Sequence, residues 1–221
     1  MTLKELEGEK QIKLSLFKIT HEIKNPIAVC KGYLDMINPK DTKQVERYVP
    51  IIKSEIDRLL SLLQDFLLIN KSNLDLDVMD MNMLVEETVD KLKPLLDDND
   101  IELDLNLADD EIYINGDYNR LSQVLINIIK NSIESINTDG KIIINSSIKN
   151  NKCYLSINDN GCGMKKEILD KIKEPFFTTK KRGSGLGVAL IYEIIEAHGA
   201  KISYNSEYGK GTKVNIVFSM Y

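Results

Sequence analysis

Histidine and cysteine are scarce in this 221-residue chain, which holds two of the first and three of the second. Cys30, Cys153 and Cys162 lie far apart and form no Cys-x-x-Cys pair. That excludes a disulfide framework and a zinc ribbon, and fits a reducing compartment. No apolar run approaches the ~20 residues a membrane helix needs, and the lysine-containing start lacks the apolar stretch of a signal peptide. A cytoplasmic location, with no membrane contact within this chain, is expected. A basic excess is missing too: the net charge is −5, which argues against a nucleic-acid partner. Internal repeats and low-complexity tracts are absent. What remains is a globular composition, 43% hydrophobic and 29% charged, on a length that suits one full domain plus a smaller module.

Residues 1–71 read as helix. Leu16, Ile19, Ile23, Ile27, Cys30, Leu34 and Ile37 recur at alternating three- and four-residue steps, and Val45, Val49, Ile52, Ile56, Leu59, Leu63 and Phe66 do the same. Such steps average about 3.5 residues, the period of a coiled-coil-like seam. Asn38-Pro39-Lys40-Asp41 between them stops one helix and caps the next. The prediction is an antiparallel helical hairpin. Two helices with one apolar face each do not close a core, so a homodimer forming a four-helix bundle is expected. Pro50 should kink or interrupt the second helix.

From residue 72 the pattern is mixed. Leu74, Leu76 and Val78 alternate like a strand, 81–97 reads as helix, and 101–107 and 112–114 as strands. A strong amphipathic helix covers 117–137. Strands at 141–148 and 153–158, a turn-rich stretch, a helix at 186–198 and strands at 200–205 and 212–219 complete the chain. Without regular βαβ alternation, the fold class expected for 72–221 is an α+β sandwich.

Four groups of residues carry chemistry. His21, in His21-Glu22-Ile23-Lys24-Asn25-Pro26, is two positions from Ile19 and from Ile23 and so points away from the seam. A neutral, exposed imidazole can act as a nucleophile, and Glu22 beside it can hold one ring nitrogen in its N–H form and leave the other free to attack. Pro26 should bend the helix there. On the 117–137 helix, Asn127 and Asn131 are surface neighbours; an amide oxygen suits Mg²⁺, and Lys130 adds positive charge. Asp159, in Asp159-Asn160-Gly161-Cys162-Gly163, follows a strand, where an acceptor-only carboxylate can take an amino group. Pro175-Phe176-Phe177-Thr178-Thr179-Lys180 and Gly183-Ser184-Gly185-Leu186-Gly187 lead into a helix whose free N–H groups can face phosphate. Each group alone has an ordinary reading as a surface patch or a turn. The other histidine, His198, reads as structural at a helix end, where a charged ring would suit the dipole.

Together, in this order, these segments resemble the H-box, N-box, Asp-x-Gly-x-Gly box, F-box and G2 box of two-component sensor histidine kinases. The resemblance covers nearly the whole chain, and Pro-Phe-Phe-Thr-Thr-Lys and Asn-Ile-Ile-Lys-Asn-Ser look most like the sporulation and nitrogen-regulation subgroup. One departure is Lys173, where many relatives carry an aromatic residue. The resemblance implies a dimerisation and phosphotransfer hairpin over 1–71 and a Bergerat-type ATP-binding domain over 72–221. It implies that His21 is phosphorylated, that Glu22 assists as base, and that Asn25 takes part in dephosphorylating the partner. ATP would be bound by Asn127, Lys130, Asn131, Asp159, Gly161 and Gly163, with Phe176, Thr178, Thr179, Lys180, Gly183, Gly185, Leu186 and Gly187 forming a lid. Asn131 would be the Mg²⁺ ligand, and the partner the receiver domain of a response regulator. The chain could then also be the cytoplasmic part of a larger membrane-anchored sensor.

Two other classes compete. A non-catalytic, nucleotide-controlled dimeric scaffold would bind ATP without phosphotransfer, but intact His21, Glu22, Asn131 and Asp159 count against it. An ATPase of the chaperone, gyrase or mismatch-repair type shares the nucleotide boxes and lacks the hairpin with His-Glu-x-x-Asn-Pro.

Overall fold

The structure is a computed structural model that describes residues 3–69, 74–180 and 183–221, with side chains from Ile19 onward except at 65, 68 and 69. The side chain of Leu16 and the expected boundary at 71 and 72 lie outside the described residues. The chain divides into two compact units, one of Met1–Lys71 with Pro175–Leu186 and one of Ser72–Glu174 with Gly187–Tyr221.

The first unit is the expected hairpin of α1 (Leu3–Met36) and α2 (Thr42–Ile69). Successive cross-helix pairs fix its antiparallel sense: Tyr33 with Tyr48, rings 5.1 Å apart, Cys30 with the Ile52 carbonyl, and Glu22 with Arg58. The turn is closed from both sides. Asp41 caps α2 by accepting from the Lys43 and Gln44 amides, while Gln44 Oε1 accepts the Asn38 amide at 3.0 Å. Gln44 thus reaches past the cap to the end of the turn, while the Asp41 amide itself donates to the Asn38 carbonyl at 2.9 Å. Pro50 does not interrupt α2, which runs through it unbroken. The expected break fails because Pro50 and Glu46, whose carbonyl loses its partner, are both exposed, so water can satisfy that carbonyl. α1 likewise continues through Pro26. Ile27, Leu34, Val49, Ile56 and Leu60 are left exposed along the hairpin.

The second unit begins with β1 (Asp77–Asp80), α3 (Met81–Asp97), β2 (Ile101–Asn106), β3 (Tyr113–Gly116) and α4 (Tyr118–Ser135). It continues with β4 (Gly140–Lys149), β5 (Lys152–Asp159), α5 (Lys166–Leu169), α6 (Gly187–Ala197), β6 (Lys201–Glu207) and β7 (Gly211–Ser219). β1 pairs with β3 alone; the other strands form a sheet in the order β2-β4-β5-β7-β6, parallel between β2 and β4 and antiparallel elsewhere. The alternating side chains Ile142, Ile144, Cys153, Leu155, Ile157, Val214, Ile216 and Phe218 are buried. They face the apolar sides of α3, α4 and α6, with α4 packed between the other two. The opposite face carries a polar row, Asn106, Asn145, Ser156, Asn215 and Ser203, in register across all five strands. This is a two-layer α+β sandwich with one bare sheet face.

Apart from shifts of one or two residues at element ends, two features differ from expectation. β1 starts at Asp77 rather than Leu74, because the Asp75 amide is drawn to the Asp117 carboxylate at 3.1 Å and cannot join the strand ladder. The turn-rich stretch contains the single-turn helix α5, which is too short to produce a period.

His198 is structural, as expected, but uncharged in this arrangement. Its Nε2 accepts the Asp117 amide at 2.9 Å, and since a backbone N–H can only donate, that nitrogen carries no proton. Nδ1–H then donates to the Ile194 carbonyl at 2.7 Å.

Candidate active site

β5 delivers Asp159 to the end of the sheet beside α4. Its Oδ1 accepts from the Gly161 amide at 3.0 Å and the Thr212 amide at 3.1 Å, with Ser135 Oγ further off at 3.4 Å. Among the described residues Oδ2 accepts only from Ser132 Oγ, at 3.0 Å. Three elements thus fix the carboxylate's orientation, and a lone pair on Oδ2 stays available for an amino group.

The loop after Asp159 is laced down on both sides. Asn160 bonds to β4 through the Lys141 amide and the Asp139 carbonyl. The Cys162 amide donates to the Ser135 carbonyl at 2.9 Å, and the Gly209 amide to the Cys162 carbonyl at 2.7 Å. This closeness explains the glycines: a Cβ at Gly161 would lie 1.9 Å from Ser135 Oγ, and at Gly163, where φ is +60, 2.0 Å from the Glu207 carbonyl oxygen.

On α4, Asn127 accepts from Gln123 Nε2 at 3.4 Å, but its own Nδ2 is buried with no partner among the described residues. An orphaned buried amide is costly unless something completes it, and a phosphate oxygen has the matching acceptor chemistry. Asn131, one turn on, is half-buried, and Lys130 is exposed. Among the described residues no group of three or more His, Cys, Asp or Glu side chains is placed to hold a metal. The amide oxygen of Asn131 is the kind of donor that a hard cation such as Mg²⁺ takes alongside phosphate and water.

The predicted lid residues Phe176, Thr178, Thr179, Lys180, Gly183, Gly185 and Leu186 belong to the hairpin unit, and Gly187 opens α6 in the other. The segment is closed on itself, with the Phe176 amide donating to the Gly185 carbonyl at 2.9 Å. Both residues have positive φ, and a Cβ at Gly185 would stand 2.5 Å from the Phe176 carbonyl carbon. Thr178 Oγ1 accepts the Lys180 amide. Leu186 forms a buried cluster with Ile19 and Leu62, flanked by Phe176, Ile23, Leu59 and Phe66. A Cβ at Gly187 would meet nothing within 4 Å, so packing does not demand that glycine.

In the hairpin, His21 and Asn25 are exposed on α1 while Ile19 is buried, as the seam predicts. Glu22 Oε2 lies 3.7 Å from Arg58 of α2, whose other terminal nitrogen lies 3.5 Å from Glu55 Oε2. Sequence reasoning missed Ser132, Thr212, Glu55 and Arg58. Ser132 had left a signal: a hydroxyl inside the otherwise apolar stripe of α4. Thr212 and Arg58 had left none, because only tertiary folding brings them to Asp159 and Glu22.

The two-layer sandwich, with a fixed carboxylate at the end of β5 and a glycine loop after it, has the architecture of the ATP-binding domain shared by histidine kinases, gyrase B and HSP90. Residues 116–221 match the family model for the histidine kinase-, DNA gyrase B- and HSP90-like ATPase. Residues 18–74 match that for the His Kinase A (phospho-acceptor) domain. With both modules present in this order, the chain belongs to the histidine kinases.

Sporulation kinase A of Bacillus subtilis (strain 168) is 35% identical over 202 residues, covering 90% of this chain and 33% of the relative. The chain thus spans about a third of that kinase's length. Among solved structures, the Acinetobacter baumannii histidine kinase AdeS superposes with a TM-score of 0.75 at 25% identity, covering 90% of this chain and 98% of that one. The histidine kinase ThkA in complex with response regulator protein TrrA gives 0.77 at 27% identity, over 99% of this chain and 67% of that one. The family resemblance and the α+β architecture read from the sequence are both borne out.

Proposed function

We propose that the chain phosphorylates its own His21 from ATP and passes the phosphoryl group to an aspartate of a response-regulator receiver domain. The observation that carries this is the exposed His21 beside a carboxylate tethered through one oxygen to Arg58. A ring nitrogen of His21 attacks the γ-phosphorus in line; the N–P bond forms, the bond to the bridging oxygen breaks, and ADP departs with that electron pair. Glu22 takes the proton from the other ring nitrogen, so the phosphorylated ring stays neutral. Asp159 holds the adenine amine through Oδ2, and the Asn127 Nδ2–H group donates to phosphate. Mg²⁺ held by Asn131 would supply neutralisation of phosphate charge. The segment 175–186, with Phe176, Thr178, Thr179, Lys180, Gly183, Gly185 and Leu186, acts as the lid, and Lys130 and Gly187 complete the phosphate side. Asn25 takes part in dephosphorylating the regulator, in which water takes the phosphoryl group from the aspartate and inorganic phosphate leaves.

By this reading, the module boundary falls between 71 and 72, and the exposed apolar face of the hairpin pairs with a second copy. The location is the cytoplasm, and among the described residues no helix is long and apolar enough to cross a membrane. The partner follows from the ThkA neighbour, which was solved with a response regulator. The test is transfer: γ-labelled ATP should label the protein, and an added receiver domain should acquire the label as the kinase loses it. A receiver domain that stays unlabelled while the kinase remains labelled would refute the transfer step for that pair.

A further inference from the structure

We infer that Arg58 is a positioning residue for the reaction at His21, holding Glu22 with its free oxygen turned to the imidazole; this rests on the reading of Glu22 as the base. The guanidinium uses different terminal nitrogens for its two partners. Nη1 lies 3.5 Å from Glu55 Oε2 and Nη2 lies 3.7 Å from Glu22 Oε2, so its planar fork can serve both at once. Glu55 is 5% exposed. Burial fixes its carboxylate, and through the i,i+3 relation on α2 it fixes where Arg58 points. Among the described residues no partner holds Glu22 Oε1, so the tether leaves it the oxygen that base chemistry needs.

A merely structural ion pair is a poor account of this arrangement. The Glu22 and Arg58 side chains are each about a third exposed, and pairs of that kind contribute little to stability. What the pair does supply is geometry. Glu22 is a flexible side chain on the solvent side of α1, and a base must keep hydrogen-bond distance and alignment to be effective. The chain Glu55–Arg58–Glu22 carries that constraint from the buried side of α2 to the residue beside His21. A shift of α2 against α1 would then change the base before it changed the nucleophile.

The experiment is a double-mutant cycle on the full chain, measuring autophosphorylation at saturating ATP and the KM for ATP. Glu22→Gln should slow the rate by about 100-fold, the order of a general-base contribution. Arg58→Ala should slow it about 10-fold with KM unchanged, and Arg58→Lys should recover part of the loss. Adding Arg58→Ala to Glu22→Gln should cost less than a further twofold, because a tether has no effect once its carboxylate is gone. Arg58→Met, which keeps the apolar stem, replaces the alanine variant if circular dichroism shows the hairpin unfolded. Multiplicative losses in the double variant, or an Arg58 variant within twofold of the parent, would overturn the positioning role while leaving Glu22 as base. A Glu22→Gln variant of unchanged rate would overturn both.

Discussion

Ser132 Oγ donates to Asp159 Oδ2 at 3.0 Å from within the buried face of α4. A hydroxyl in an apolar stripe is thereby spent on orienting the carboxylate proposed to receive adenine. Ser132→Ala should leave the fold intact and weaken ATP binding about 10-fold, the order for losing a hydrogen bond to a charged group. Asp159→Asn should abolish binding, because an amide nitrogen facing Oδ2's direction presents a donor to a donor. Calorimetric titration with ATP checks both. Tight binding by Asp159→Asn would remove Asp159 from the adenine site.

Asn127 gives a prediction in which stability and affinity move differently. Its buried Nδ2 has no partner in the free protein, so Asn127→Ala removes an unsatisfied donor and should not lower the melting temperature of the free protein. ATP affinity should fall all the same, since the phosphate loses its donor. Thermal unfolding with and without ATP separates the two: the variant should match the parent alone and gain less from nucleotide.

Tyr204 also carries a cost. Its hydroxyl is shielded from solvent without a partner, in a ring stacked at 5.9 Å on Tyr192, and burial pushes its pKa well above the usual tyrosine range. Tyr204→Phe should stabilise the protein by about 1 kcal/mol at neutral pH. The folded state resists losing this proton, so stability from Tyr204 is complete below the unfolded value and lost as pH climbs past about 10. The advantage of the phenylalanine variant should therefore widen above that pH. Denaturant melts at neutral and alkaline pH test this, and a constant difference would contradict it.

The exposed seam residues make the oligomeric prediction. Ile27 is 50% and Ile56 45% exposed in the isolated chain, on helices whose period calls for another apolar partner. Ile56→Glu should convert the dimer to monomer in sedimentation velocity at micromolar concentration. Retention of the dimer would place the interface elsewhere.

The elements were legible in proportion to their length and period. The helix at Met81–Asp97 has the bounds expected of it, because Leu84, Thr88 and Leu92 mark one face and Asp80 caps it. Asp159 was legible because its glycines follow directly in sequence. The residues that orient it were not: Ser132 is 27 positions away and Thr212 is 53, and periodicity says nothing about which strand end meets which helix. Arg58 was hidden for the same reason, since a charged residue on the second helix of a hairpin has no local mark of whom it faces. Whether Pro50 interrupts its helix was not legible, because interruption depends on whether the freed carbonyl is buried, and here it is on an exposed stretch of α2.

The central claim is that His21 accepts phosphate from ATP. Incubation of the parent and of His21→Gln with γ-labelled ATP and magnesium, followed by acid and alkali treatment, tests it most directly. The account predicts an acid-labile, alkali-stable label on the parent and none on His21→Gln, with both binding ATP equally. Equal labelling of the variant would contradict it.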